Sequence, residues 1–231
     1  ARQVIKEIWE RKNLPILVGG TGLYVRAVLD SLNFPEGDLS SAVRANYAKL
    51  AAKEPLQLWQ LLAAKDPIAA AKIEPANSRR VIRALEVIEL TGRPFSYWQQ
   101  NWHRREAIYQ CLIVGLTMTR QNLYQKLEAR VEQMLKDGLV EEVKKLKNQT
   151  LSTTARQALG YKEILAYLDG QISLKEAVEL IKLRTRRYAK RQFTWFKADP
   201  RIHWLNVDNL SSSQIKEEIL KLVKAKEFIV I

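Results

Sequence analysis

The chain has 231 residues, with 38 Lys and Arg against 25 Asp and Glu, a formal net charge of +13. Its 47% hydrophobic content is enough to fill a core and excludes a disordered composition, while the cationic excess favours a polyanionic partner. One Cys (Cys111) and two His exclude a disulfide framework and a Cys/His zinc cluster. No apolar run reaches the length of a membrane span and no signal or transit pattern opens the chain, so a soluble, cytoplasmic protein with no membrane partner is expected.

In chain order, residues 1–13 read as an amphipathic helix, with Val4, Ile5, Ile8 and Trp9 at helical spacing. Pro15 to Val18 is a short apolar run ending in Gly19-Gly20, the form of a buried parallel strand and its turn. Leu23, Val25, Ala27, Val28 and Leu29 then suggest a helix leaving that turn. Asn33 to Asp38 is turn chemistry and a boundary. From there to about residue 105 the signal is helical: Ser40 or Ser41 caps a helix through Leu50, and Pro55 opens the next, with Leu58, Leu61 and Leu62 on one face. Asp66-Pro67 fits an N-cap followed by Pro at the first helical position, and Asn77 or Ser78 caps a helix from Arg79 to Leu90 that Gly92 and Pro94 stop. Strand character returns at 108–116. Helices follow at about 119–137, 138–148, 155–168 and 173–197, then a short strand at 201–207 and a terminal helix at 211–226. The pattern predicts an α/β core over 1–37 and 108–231, dominated by helix, with an all-helical insertion over 38–107.

Four segments carry candidate chemistry. Gly19-Gly20-Thr21-Gly22, between a strand and a helix, lets the backbone approach an anion, and Thr21 adds a hydroxyl; an ordinary tight turn explains it as well. Arg79, Arg80 and Arg83 crowd the first turns of one helix, where cations oppose the helix dipole and are better used on an external polyanion; pairing with Glu86 and Glu89 is the alternative. On the 173–197 helix, Arg184, Arg186, Arg187, Lys190 and Arg191 fall within an arc of roughly 160° on a wheel of 100° per residue. Eight basic residues lie between Lys182 and Arg201 with Asp199 the only acid, too few carboxylates for a face laced by its own salt bridges. Fourth, Gly160, inside the helix predicted over 155–168, costs about 1 kcal/mol relative to Ala and fits a close backbone approach, with Arg156 and Lys162 near it; a core Tyr161 beside a surface Lys162 is the plainer explanation of the segment. His103 and His203 carry no ligand spacing, and Cys111 reads as a small core residue. Trp98 and Trp102 with Arg104-Arg105 fit a stacking platform or hinge packing equally.

Taken together and in order, Leu17 to Tyr24, Asp66 to Val87, Gln157 to Glu163 and Lys190 to Phe196 resemble the signatures of the tRNA dimethylallyltransferase family, of the bacterial type. The resemblance implies a P-loop-kinase-like core and an insertion clasping the tRNA anticodon stem-loop. It also implies transfer of a dimethylallyl group from dimethylallyl diphosphate to N6 of the adenosine 3′ to the anticodon. By the same resemblance Thr21 orients the leaving diphosphate beside the adenine. Gly19, Gly20, Gln157 and Lys162 lie near that diphosphate. tRNA is held by Arg44 and by Arg79, Arg80, Val81, Ile82 and Arg83 on one side, and by Lys182, Arg184, Arg187, Lys190 and Arg191 on the other. Some family members carry Arg where this chain has Gln157. Family enzymes also use Mg²⁺ and a Gly-x-x-x-x-Gly-Lys-Ser/Thr loop, which none of these 231 residues supplies. That loop, the hydroxyl that binds Mg²⁺ and a catalytic Asp are expected upstream of Ala1, so these residues alone are expected to be catalytically incomplete, with no metal ligands of their own, and monomeric. An adenylate isopentenyltransferase acting on free nucleotide and a non-enzymatic RNA-binding remnant are the alternatives; the basic insertion favours tRNA.

Overall fold

A computed structural model describes residues 1–35 and 42–226. Its elements are α1 (Arg2–Glu10), α2 (Gly22–Leu29), α3 (Ala42–Lys53), α4 (Pro55–Lys65), α5 (Pro67–Ala70), α6 (Ser78–Thr91) and α7 (Phe95–Trp98). There follow β1 (Ile113–Thr117), α8 (Arg120–Lys136), α9 (Leu139–Lys147), α10 (Thr153–Arg156), α11 (Tyr161–Leu168), α12 (Leu174–Lys197), β2 (Ile202–Asn206) and α13 (Ser212–Ala225). The predicted cap at Ser40 or Ser41, the end of the 33–38 turn and the 37/38 boundary lie outside the described residues.

Two compact units divide the chain: residues 1–25 with 110–231, and residues 26–109. The helical unit therefore starts about a turn into α2, earlier than the predicted insertion. Its neck explains the shift. Arg26 and Asp30, four apart and both buried, pair at 2.7 Å, and Arg26 also donates to the Arg104 carbonyl at 3.1 Å. A bridge from Asp30 to Ala107 and the bond from Ile108 N–H to Leu29 O zip the outgoing and returning stretches of chain together.

Inside this unit α6 is the central helix. Both α3 and α4 pack on it, and Leu58, Leu62, Val81, Ala84 and Leu85 form a fully buried core. The local punctuation matches the sequence signals. Asp66 accepts from Ala69 N–H at 3.0 Å ahead of Pro67, Asn77 accepts from Arg80 N–H, and Gly92 ends α6 at φ +66°. Asp66 also accepts from Ser96 N–H at 2.7 Å, so one buried carboxylate caps α5 and holds the start of α7.

In the other unit, α8, α9, α11 and α12 share one core built from Val131, Leu139, Val143, Ile164, Ala177 and Ile181. β1 and β2 run parallel in register Ile113↔Ile202 to Thr117↔Asn206, joined by a helical crossover as parallel strands require. Gly115 lies opposite Trp204, and a Cβ on it would sit 2.8 Å from that ring. The ring is held from another side too: Phe193 of α12 stacks on it at 5.3 Å. The sheet is thereby fastened to α12.

Two predicted elements differ. Pro15–Val18 is not a strand: it is irregular, with Ile16 79% and Val18 88% exposed, because no described strand pairs with its backbone. The helix predicted over 155–168 is broken. Gly160 sits at φ +94° as the N-cap of α11, and its N–H donates to the Glu163 carboxylate at 2.8 Å. Gly160 is thus required by a left-handed backbone and not by a close approach within a helix.

Candidate nucleic-acid interface and transfer site

The basic residues separate into two kinds, and local sequence did not say which was which. On α6, Glu86 is fully buried and accepts from two guanidiniums, Arg44 of α3 at 2.7 and 3.0 Å and Arg83 at 2.7 Å. Arg83 also donates to the Pro35 carbonyl at 3.2 Å. The bond to Glu86 raises the Arg44 pKa against the opposing effect of burial. Nearby, Tyr47 donates to Glu89 and is pushed up to about 12 by burial and by that bond. Arg79 and Arg80 are different: both are exposed and make no ion pair among the described residues. Ile82 is half-buried. Val81, expected among the RNA contacts, is instead fully buried in the core, where no ligand reaches its side chain.

The same division runs along α12. Lys182 pairs with Glu132 of α8 at 3.0 Å, which raises its pKa, and Arg186 pairs with Glu128 of α8 at 2.8 Å while lying over the Tyr124 ring. Arg184 binds the buried Glu163 of α11. Beyond Glu179 of α12 itself, 3.7 Å from Lys182, the partnering carboxylates come from α8 and α11. Arg187, Lys190 and Arg191, at i, i+3 and i+4, are exposed, and none has an ion-pair partner among the described residues; Arg191 lies 5.8 Å from the Tyr188 ring. This is a ridge of uncompensated charge on a rigid helix, suited to phosphates.

Below that ridge α12 meets the glycine turn. Gln192 Nε2 donates to the Gly20 carbonyl at 2.9 Å, and Gly22 is buried against the Trp195 indole. Thr21 lies between them with its side chain exposed, and its carbonyl accepts from Tyr24 N–H at 2.9 Å and Val25 N–H at 3.1 Å to start α2. A Cβ on Gly19 would meet nothing within 4 Å, so its backbone is open to a ligand. Gln157, on the turn between α10 and α11, is exposed, as is Lys162 in the first turn of α11, and no hydrogen bond links them to the glycine turn among the described residues. Sequence reasoning named Glu86 only as an alternative partner for the basic cluster, left Gln192, Trp195 and Glu163 inside the signatures with no role of their own, and did not single out the Arg26–Asp30 pair. Only the i, i+3 and i, i+4 spacings of Arg83–Glu86 and Arg26–Asp30 were visible signals.

No group of three or more His, Cys, Asp or Glu side chains converges to hold a metal among the described residues, so no Mg²⁺ site is assigned to them. No described helix is long and apolar enough to cross a membrane. Cys111 is half-buried ahead of β1, and the His103 side chain lies outside what is described. Among the described residues the buried indole nitrogens of Trp98 and Trp102 have no hydrogen-bond partner, and Phe34 packs edge-on to Trp102 at 6.1 Å, which favours packing over a stacking platform.

An exposed threonine on a glycine turn thus lies beside a helix whose Arg187, Lys190 and Arg191 have no ion-pair partner among the described residues. The IPP transferase family model matches residues 1–199. The tRNA dimethylallyltransferase of Carboxydothermus hydrogenoformans is 47% identical over 99% of this chain and 74% of its own length. That of Geobacillus thermodenitrificans is 43% identical over 98% and 72%. Among solved structures, the full-length tRNA isopentenylpyrophosphate transferase of Bacillus halodurans is 39% identical with a TM-score of 0.64, covering 97% of this chain and 70% of that one. A eukaryotic dimethylallyltransferase acting on tRNA is 27% identical with a TM-score of 0.76, covering 96% and 59%. The chain belongs to the IPP transferase family.

Proposed function

We propose that this chain is the tRNA-gripping body of a tRNA dimethylallyltransferase, a cytoplasmic monomer that modifies the adenosine on the 3′ side of the anticodon. The donor is dimethylallyl diphosphate. Its allylic C1–O bond breaks, diphosphate leaves, a C1–N6 bond forms, and N6 gives up a proton. The parallel β1–β2 pair with its helical crossover supports reading this unit as part of a P-loop-kinase-like core.

The observation that carries the reading is the sorting of α12: its free cations, Arg187, Lys190 and Arg191, lead within a turn into the residues that hold the Gly19–Gly22 turn. On this reading that ridge binds the anticodon stem-loop backbone, and Arg79 and Arg80 of the helical unit bind a second stretch of it. Arg44 and Arg83 act behind them by keeping α6 in place. Thr21 meets the leaving diphosphate and the acceptor adenine, where a fixed donor stabilises charge as it develops. Gln157 and Lys162 serve the donor diphosphate. A Mg²⁺ ion would neutralise that diphosphate; the described residues present no set of ligands for it.

The test is transfer of labelled dimethylallyl diphosphate by the full-length protein to an anticodon stem-loop with adenosine next to the anticodon. Label on that adenosine is expected. Preference for free adenylate, or no binding of the RNA at either low or moderate salt, would overturn the reading.

A further inference from the structure

We propose that Gln192 and Trp195 are positioning residues of the transfer reaction, which hold the Gly19–Gly22 main chain from α12 and so aim the Thr21 hydroxyl. The inference rests on the proposed role of that turn. Neither Gly20 nor Gly22 has a positive φ; among the described residues the glycines that do are Gly92, Gly138, Gly160 and Gly170. Conformational freedom therefore does not explain glycine at 20 or 22. Space does. A Cβ on Gly20 would collide with the Gln192 amide, and one on Gly22 would overlap the Trp195 ring. The turn is cut back to glycine on the two positions where α12 presses against it.

The contact is specific in its chemistry as well as its shape. Gln192 reaches across 172 positions of sequence to donate to the Gly20 carbonyl, fixing the peptide that enters Thr21. Trp195 closes on Gly22, the residue that follows it. The holding segment is itself immobilised, because Phe193, between the two, stacks on Trp204 of β2. Thr21 is thus gripped on both sides by its backbone while its side chain stays exposed. That is what a reacting turn needs, since an error of about 1 Å in placement can cost on the order of 100-fold in rate.

The experiment compares the full-length enzyme with Gln192→Glu, Gln192→Met, Trp195→Ala, Trp195→Phe and Gly22→Ala, measuring kcat and KM for RNA and donor, RNA affinity and Tm. Both Gln192 variants keep the side chain's bulk and lose its N–H donor. They are expected to lower kcat by roughly 10- to 100-fold, with RNA affinity and Tm little changed. Trp195→Phe should retain activity within a few-fold and Trp195→Ala should not. Gly22→Ala should be impaired alone and add little loss in the Trp195→Ala background. Combined with Thr21→Ala, the Gln192 variants should add nothing, because the group they aim has gone. Unchanged kcat in both Gln192 variants of an active enzyme would overturn the positioning role, as would losses that simply track a falling Tm or RNA affinity. Thr21→Ala at full activity would instead sink the reading of the turn itself.

Discussion

α6 and α12 both carry clustered arginines, yet they use them by opposite logic. On α6 one buried carboxylate, Glu86, gathers two guanidiniums from two helices, and the cations left over are Arg79 and Arg80, in the first turn. On α12 three cations each find a carboxylate on another helix, and those left over form a ridge in the next turns. In both, the cations that reach a carboxylate work inside the molecule. A basic cluster is therefore not one functional unit. Its members divide by whether the surrounding helices can bring a carboxylate to them, and under the proposed function that division is expected to separate effects on folding from effects on RNA.

The sharpest way to break this comparison is to remove both cations from Glu86. Arg44→Ala with Arg83→Ala strips a fully buried carboxylate of two ion pairs and should cost about 3 kcal/mol in denaturant unfolding. That is the low end for a broken buried pair, because the guanidinium side chains are 28% and 32% exposed. A cost under about 0.5 kcal/mol, the level of a surface pair, would show that Glu86 is not the organising group. Next in size, replacing Arg187, Lys190 and Arg191 by Ala should weaken stem-loop binding and flatten its dependence on salt, by about 0.7–0.9 in log–log slope for each phosphate no longer neutralised. Melting temperature should hold. Lys182→Ala and Arg186→Ala should do the reverse, with more effect on stability than on the salt slope; identical profiles for the two sets would erase the distinction on α12. Arg79→Ala with Arg80→Ala is expected to give a smaller RNA defect of the same kind, again without loss of stability. A stability loss matching that of the Arg44/Arg83 pair would return all of α6 to a structural role.

The smallest effect concerns how α8 offers its carboxylates. Asp208, just past β2, accepts from Thr119 N–H at 2.9 Å and Asn122 Nδ2 at 2.7 Å, so it secures the N-cap of the helix that bears Glu128 and Glu132. Burial pushes the Asp208 carboxyl up, but the bonds from Asn122 and Thr119 outweigh it and hold the group below its usual 3.8. A carboxylate lowered on folding stabilises fully above its unfolded pKa, and that contribution fades as pH falls through the lower folded value. Wild type should therefore lose a small advantage over Asp208→Asn on acidification below about pH 4. A constant difference between the two from about pH 7 to about pH 3 would show that the carboxylate's charge contributes nothing to the cap.

Much of the helical unit was legible because its signals are local. Asp66-Pro67, Asn77 and Gly92 punctuate helices through bonds that span three or four residues, and the chain needs no distant partner to make them. The charge footprint of α12 and the family signatures were legible for the same reason: they are written in consecutive residues. Tertiary structure alone settled three matters. It fixed which cations are spent internally, since Glu128, Glu132 and Glu163 arrive from 21 to 58 positions away. It left Pro15–Val18 without strand pairing, because a strand is defined by its neighbours and not by its own apolar run. It also gave Gly20 and Gly22 a meaning that sequence could not. Glycines in a short motif signal freedom or space, and only the Gln192 and Trp195 side chains pressing on them decide that it is space.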